Sequence, residues 1–191
     1  MRKILSLIHM TLDGFAAGPN GEMDWIVYND DVEKEGHALH ERTDAAIYGR
    51  VTYGMMQGYW PSVLANPAAH TPPEVAHARW YDDATKYVFS RTLDAALPRN
   101  TVLMKDNVVE EMQRIKQQPG KDIWLLGSPS IAQLLAHHNL IDEFRLNISP
   151  VVLGRGKPYF AHSDVMQSLN LTESKTLEGG VVALRYEPKC N

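Results

Sequence analysis

The chain has 191 residues, with 19 Lys and Arg against 23 Asp and Glu, a formal charge of −4, and a composition that is 44% hydrophobic and 22% charged. These values describe one globular domain, spanning 1–191, and not a charge-dominated disordered chain. They argue against nucleic acid as a partner, and no apolar run reaches the length of a membrane span. The single cysteine, Cys190, allows no intrachain disulfide, which fits a reducing, cytoplasmic setting.

In chain order, Lys3–His9 reads as a first buried strand. Its apolar part is too short for a signal-peptide core before Asp13 and Gly14 intervene. Gly14–Gly21 has no G-x-G-x-x-G spacing and is expected to be a mobile loop able to close over a bound ring. Asp30–Thr43 is predicted as a helix, opened by Asn29 and Asp30. Ala45–Tyr48, Lys86–Phe89, Thr101–Met104 and Asp122–Leu126 are short apolar runs bounded by polar residues or glycine, the pattern of strands buried on both faces.

Between these strands, Pro61–Pro73 is expected to form a long surface excursion, with helices predicted over Glu74–Asp83, Asn107–Gln118 and Ser130–His138. Strand and helix alternate, which predicts an α/β fold with parallel crossovers. The last third differs. Phe144–Val152, Leu169–Leu177 and Val181–Glu187 are strand-like without helices between them, and Glu178–Gly180 marks a hairpin turn, so the sheet should end antiparallel.

Ligands of open α/β sheets bind beyond the carboxyl ends of strands, where helix N-termini face the crevice. Three such ends carry suitable chemistry: Gly49, Arg50 and Thr52; Ser90 and Arg91; and Gly127 with Ser128 before Pro129. Singly, each has a structural explanation, Ser128 and Pro129 being an ordinary N-cap and N1 pair. Jointly they could supply anion sites for a pyrophosphate and a cationic site for a 2′-phosphate, with Arg50 and Arg91 as candidates. No metal site is expected: His37 and His40 read as a solvated helix face, and the H-E-x-x-H order is missing. Gly154–Lys157 could hold a phosphate or be a solvated hairpin loop.

The segments Leu7–Gly14, Gly18–Gly21, Asp24 with Trp25, Ile47–Tyr53, Trp124–Ser128 and Leu140–Lys157, in this order, together resemble the dihydrofolate-reductase-like family. Pro150–Gly156 is most similar to the branch related to the reductase domain (RibD C-terminal-like) of the bifunctional riboflavin-biosynthesis deaminase-reductase. The resemblance implies a three-layer fold with a mixed, mainly parallel sheet, helices on both faces and an antiparallel C-terminal edge. It implies NADPH as cofactor, held by Gly49, Arg50, Thr52, Ser90, Arg91, Gly127 and Ser128, and a homodimer formed through the C-terminal strands. Gly127-Ser128 departs from the paired glycines of true dihydrofolate reductases, and the deaminase motif of the bifunctional enzyme is missing.

The expected activity is hydride transfer from NADPH to a C=N or C=O of a pteridine-like or ribosylaminopyrimidine-like small molecule. Counting from Trp25, a candidate substrate contact, the family's carboxylate position falls on Asp30, with Glu33 in the same acidic cluster. Asp30 could equally be part of a helix cap. A non-catalytic NADPH-binding or sensing protein, and a flavin-binding module, stay open as alternatives.

Overall fold

The computed structural model describes residues 1–94, 96–160 and 166–189, so Cys190 lies outside the described residues. Its first strand, β1 (Ile4–Thr11), is buried along nearly its whole length. After a short β2 (Phe15–Ala17) come α1 (Asp30–His37), β3 (Thr43–Gly49), α2 (Arg50–Ala65), α3 (Pro72–Asp83), β4 (Thr85–Phe89) and β5 (Thr101–Met104). There follow α4 (Val108–Lys116), β6 (Asp122–Leu126), α5 (Pro129–His137), β7 (Glu143–Ser149), β8 (Lys157–Pro158), β9 (Leu169–Thr176) and β10 (Val182–Pro188).

Eight strands form one sheet in the order β5-β4-β3-β6-β1-β7-β10-β9. The first six of these are mutually parallel, and β10 and β9 close the sheet antiparallel. The apolar runs of β1, β3, β4 and β6 follow from burial on both faces, whereas β5, expected to be buried likewise, is the edge strand and leaves Val102 exposed. Ile4, Ile8 and Met10 of β1 belong to the core that includes Met112 and Ile115 of α4 and Ala132 and Leu135 of α5. Leu5 and Leu7 face the other way, against Trp124 and Leu39. Tyr53 of α2 and Tyr81 of α3 cover β3 and β4 on that second face.

Four expectations need correction. The helix predicted over Asp30–Thr43 stops at His37. Gly36 weakens its end, Leu39 is fully buried in the turn that follows, and the Thr43 hydroxyl donates to the Leu39 carbonyl at 2.6 Å as the chain enters β3. The long excursion over Pro61–Pro73 shrinks to 66–71, because α2 continues through Pro61 to Ala65. The fully buried Val63 and the packing of Trp60 hold that last turn against a proline penalty of about 3 kcal/mol. α3 accordingly begins at Pro72, behind a capping box in which Thr71 and Glu74 bond reciprocally.

The third correction concerns Gly14–Gly21 and Gly154–Lys157, expected as separate loops. Phe15–Ala17 pairs antiparallel with Lys157–Pro158, so the two form one ribbon. The Asp13 carboxylate fastens it, accepting from the backbone N–H groups of Leu153 at 3.1 Å and Gly154 at 2.7 Å. Fourth, His37 and His40 are not a solvated face. His40 stacks on Trp80 with centroids 5.3 Å apart, and its Nε2 lies 3.0 Å from Nδ1 of His77. Among the described residues, no group of acids, histidines or cysteines could hold a metal ion, and no helix is long and apolar enough to cross a membrane.

Candidate active site

Between α1, α2 and α3 on one side and the carboxyl ends of β1, β3 and β6 on the other lies a cleft of about 570 Å³. β6 and β3 supply its cradle. Gly49 ends β3 and is the N-cap of α2, with no capping side chain and no acid in the first helical turn. Gly127 and Ser128 end β6 in two successive left-handed conformations, φ +58° and +53°, and α5 starts at Pro129. Left-handed backbone costs a non-glycine residue roughly 1 kcal/mol, so Ser128 needs compensation.

The Ser128 hydroxyl provides it. It accepts from the Gly49 backbone N–H at 2.8 Å and lies 3.1 Å from the Thr52 hydroxyl. Ser128 therefore occupies the N-cap position of α5 but does not cap the helix; its side chain ties the ends of β3 and β6 together. A Cβ at Gly49 would sit 2.8 Å from the Ser128 hydroxyl, so any larger residue there must displace the Ser128 side chain that joins the two strand ends. Two helix N-termini without side-chain caps thus meet at one edge of the cleft, an arrangement suited to an anion.

Gly49, Arg50, Thr52, Gly127 and Ser128 all line the cleft, and Arg50 is exposed at its rim. Ser90 and Arg91 follow β4 outside the lining, whereas Phe89 contributes to it. The Ser90 hydroxyl closes its own turn by accepting from the N–H groups of Thr92 and Leu93, and Arg91 is exposed with Nε 3.9 Å from Asp106. Glu33 of α1 lines the cleft; Asp30 is exposed and does not. The cap of α1 is Asn29, whose side chain accepts from the N–H groups of Asp31 and Val32. Trp25 also stays outside the lining, its indole N–H donating to the Glu22 carbonyl at 3.2 Å, while Met23, Ile26 and Tyr28 of the same segment line the cleft.

The opposite wall holds residues that sequence reasoning did not single out. His37, Trp60, His77 and Trp124 line it, and the rings of Trp60 and His77 approach to 4.2 Å between centroids. Burial, with the neighbouring His40 and His37, holds the His77 imidazole down to about 3; burial and His37 hold His40 to about 4. Among the described residues, His77 Nε2 and Trp124 Nε1 have no partner. His9 of β1 lines the cleft as well, and burial alone lowers its ring to about 4. The carboxylates on this wall are Glu33 and Glu74. Glu74 is pulled down to about 2 by hydrogen bonds from the Thr71 backbone, the Tyr59 hydroxyl and the Thr71 hydroxyl. One signal for His9 was available: a histidine closing an otherwise apolar strand. His77 had none, since its partners lie far away in sequence.

Residues 2–183 match the model of the RibD C-terminal domain family. YyaP of Bacillus subtilis (strain 168), described as uncharacterized, is 36% identical over 189 residues, which cover 97% of this chain and 94% of YyaP. The diaminohydroxyphosphoribosylaminopyrimidine deaminase/5-amino-6-(5-phosphoribosylamino)uracil reductase of Thermotoga maritima superposes with a TM-score of 0.67 at 16% identity, over 98% of this chain and 57% of that larger one. Dihydrofolate reductase from Enterococcus faecalis, complexed with NADP(H), gives 0.64 at 12% identity over 98% and 97% of the two chains. At these identities the two structures share the fold with this protein. The chain belongs to the RibD C-terminal domain family, built on the dihydrofolate-reductase-like α/β fold.

Proposed function

We propose that this protein is an NADPH-dependent reductase acting on a C=N or C=O carbon of a pteridine-like or ribosylaminopyrimidine-like small molecule. It would then be comparable to the 5-amino-6-(5-phosphoribosylamino)uracil reductase and the dihydrofolate reductase whose fold it shares, with a place in riboflavin biosynthesis or a related cytoplasmic route. The observation that carries this reading is the meeting of the two uncapped helices at the Gly49–Ser128 bond. That cradle fits a dinucleotide: the backbone N–H groups opening α2 and α5 suit a pyrophosphate, and Gly127 lets it approach closely.

When bound, the nicotinamide supplies hydride. The protein's residues hold and orient the reactants and exclude water. Arg50, at the rim of the cradle, is the cation for a 2′-phosphate, with Arg91 on the neighbouring strand end as a second contact and Ser90 and Thr52 as hydroxyl donors. Met23, Ile26 and Tyr28 shield the acceptor side. Glu33 is the carboxylate that faces the acceptor; Asp30, one turn earlier and exposed, contributes long-range charge. Assembly is proposed as a homodimer through the antiparallel β9 and β10 edge, to be checked by sedimentation.

The test is titration with NADPH and NADH, read by quenching of the cleft tryptophans Trp60 and Trp124, followed by NADPH oxidation with dihydrofolate and the riboflavin-pathway pyrimidine. NADPH should bind at least tenfold more tightly than NADH, on the order of 1.4 kcal/mol, and Arg50→Ala should remove most of that preference. If neither dinucleotide binds, the reductase reading fails.

A further inference from the structure

Two polar side chains interrupt the apolar run of β1. One is satisfied: the Ser6 hydroxyl lies 2.5 Å from the Tyr159 hydroxyl. The other, His9, is half-buried where β1 meets the cleft, and no side-chain hydrogen bond or ion pair from the described residues reaches its ring. A ring that lines a cleft and has no partner within the fold is left to bond what enters the cleft.

The sheet shows what that use is. β1 pairs with β6 only as far as Leu7 opposite Leu126, so beside His9 on that flank the sheet has ended and the cleft begins. Gly127 and Ser128, the next residues of that chain, turn away into the cradle. On the other flank β7 continues and places Asn147 in register with His9, at the interstrand spacing of about 4.8 Å. Asn147 is 2% exposed, and among the described residues its Nδ2 has no partner. His9 shares its face of the strand with Leu7, another cleft-lining residue. It therefore stands at the junction between the dinucleotide cradle and the wall formed by α1 and α3.

We infer that His9 meets the reacting heteroatom, its ring N–H donating a hydrogen bond to the nitrogen or oxygen of a C=N or C=O acceptor laid across the carboxyl end of β1. The inference rests on the reductase reading above. As the acceptor carbon takes hydride from the reduced nicotinamide, the C=N or C=O electron pair moves onto the heteroatom. That atom is protonated from bulk solvent by way of water at the cleft mouth, while the His9 N–H stays on the ring and holds the developing negative charge through its hydrogen bond. One hydride and one proton are consumed per turnover. An uncharged imidazole suits the role: it offers an N–H without placing a cation against the nicotinamide. His77 is less suited, because its Nδ1 is committed to His40 and its ring lies against Trp60.

The experiment loads ¹⁵N-histidine-labelled protein with NADP⁺ and adds dihydrofolate and 5-amino-6-(5-phosphoribosylamino)uracil in turn, following the His9 ring nitrogens by NMR and affinity by tryptophan quenching. The His9 resonances should move on saturation with at least one compound. His9→Ala should weaken that compound about tenfold, the loss of roughly 1.4 kcal/mol for one buried hydrogen bond, and His9→Gln should recover part of the loss. NADP⁺ affinity should stay within about twofold of the wild type by the same relation. Unmoved His9 resonances, unchanged affinity in His9→Ala, or failure of both compounds to bind NADP⁺-loaded protein would each overturn the inference. Should His9→Ala not fold, the wild-type resonances and His9→Gln decide it. Failure to bind NADP⁺ at all would instead defeat the cofactor reading.

Discussion

The cleft has two sides made in different ways. The cradle side is built from strand-to-helix turns, Gly49 into α2 and Gly127-Ser128 into α5, and is locked by one hydroxyl that joins them. The other side is a pile of rings, His40, His77, Trp60, Trp80 and Trp124, contributed by α2, α3, β6 and the turn after α1. A cradle of turns is set by backbone conformation, left-handed at Gly127 and Ser128, and is tightest at Gly49. A wall of rings is set by packing and charge state, and it responds to pH.

The largest effect should come from adding atoms to the cradle. Gly49→Val would drive a side chain into the Ser128 hydroxyl, and we expect dinucleotide affinity to fall about a hundredfold, near 2.7 kcal/mol, while the overall fold persists. Retained NADPH binding by calorimetry would show that the cradle is not where the cofactor sits. Next comes Glu33→Gln, which should cut turnover about tenfold with little change in NADPH affinity, whereas Asp30→Asn should change turnover about twofold or less. Equal losses in both would mean that the acid is not distinguished by its place in the cleft.

The ring wall makes its own prediction. His40, His77 and His9 are held neutral by burial, to about 4, 3 and 4, against 6.5 in an open chain. The unfolded state therefore takes up protons first as pH falls. Stability should be full above about pH 6.5 and decline steadily towards pH 4. Removing two of the three groups in a His40→Phe, His77→Phe double variant should flatten that decline; a melting temperature that falls just as steeply in the variant would show that these rings do not control it. Smallest of all, Ser128→Ala should cost about 1 kcal/mol in denaturant unfolding, and Ser128→Gly less, because glycine relieves the left-handed strain while losing the same hydrogen bond.

The contrast between the two sides also accounts for what could be read in advance. β1, β3, β4 and β6 were legible because strands buried on both faces leave an apolar run, β5 shows a similar run although it is the sheet edge with Val102 exposed, and the residues at the ends of β3 and β6 were legible because glycine before a helix start is a local signal. α2 was not: Pro61 is a helix breaker by every local rule, and only the burial of Val63 and Trp60 overrides it. The ribbon of β2 with β8 joins segments about 140 residues apart, and neither has a pattern of its own. His77 acquires its character from His40 and Trp60, which no spacing in α3 reveals.

The position of β1 has a consequence for how the molecule is made. β1 is made before every other strand of its sheet yet lies at the sheet's middle, and its two neighbours are β6 and β7, more than 110 residues later. Until Asp122–Ser149 has been synthesised, both edges of β1 are open; at about 5–20 residues per second this lasts for several seconds or more. The same late pairing brings His9 beside Asn147 and Gly127 beside Gly49. Nascent chains stopped before β7 should therefore expose an unpaired apolar strand edge to chaperones, so that the cleft and the covered edges of β1 are completed in a single late step.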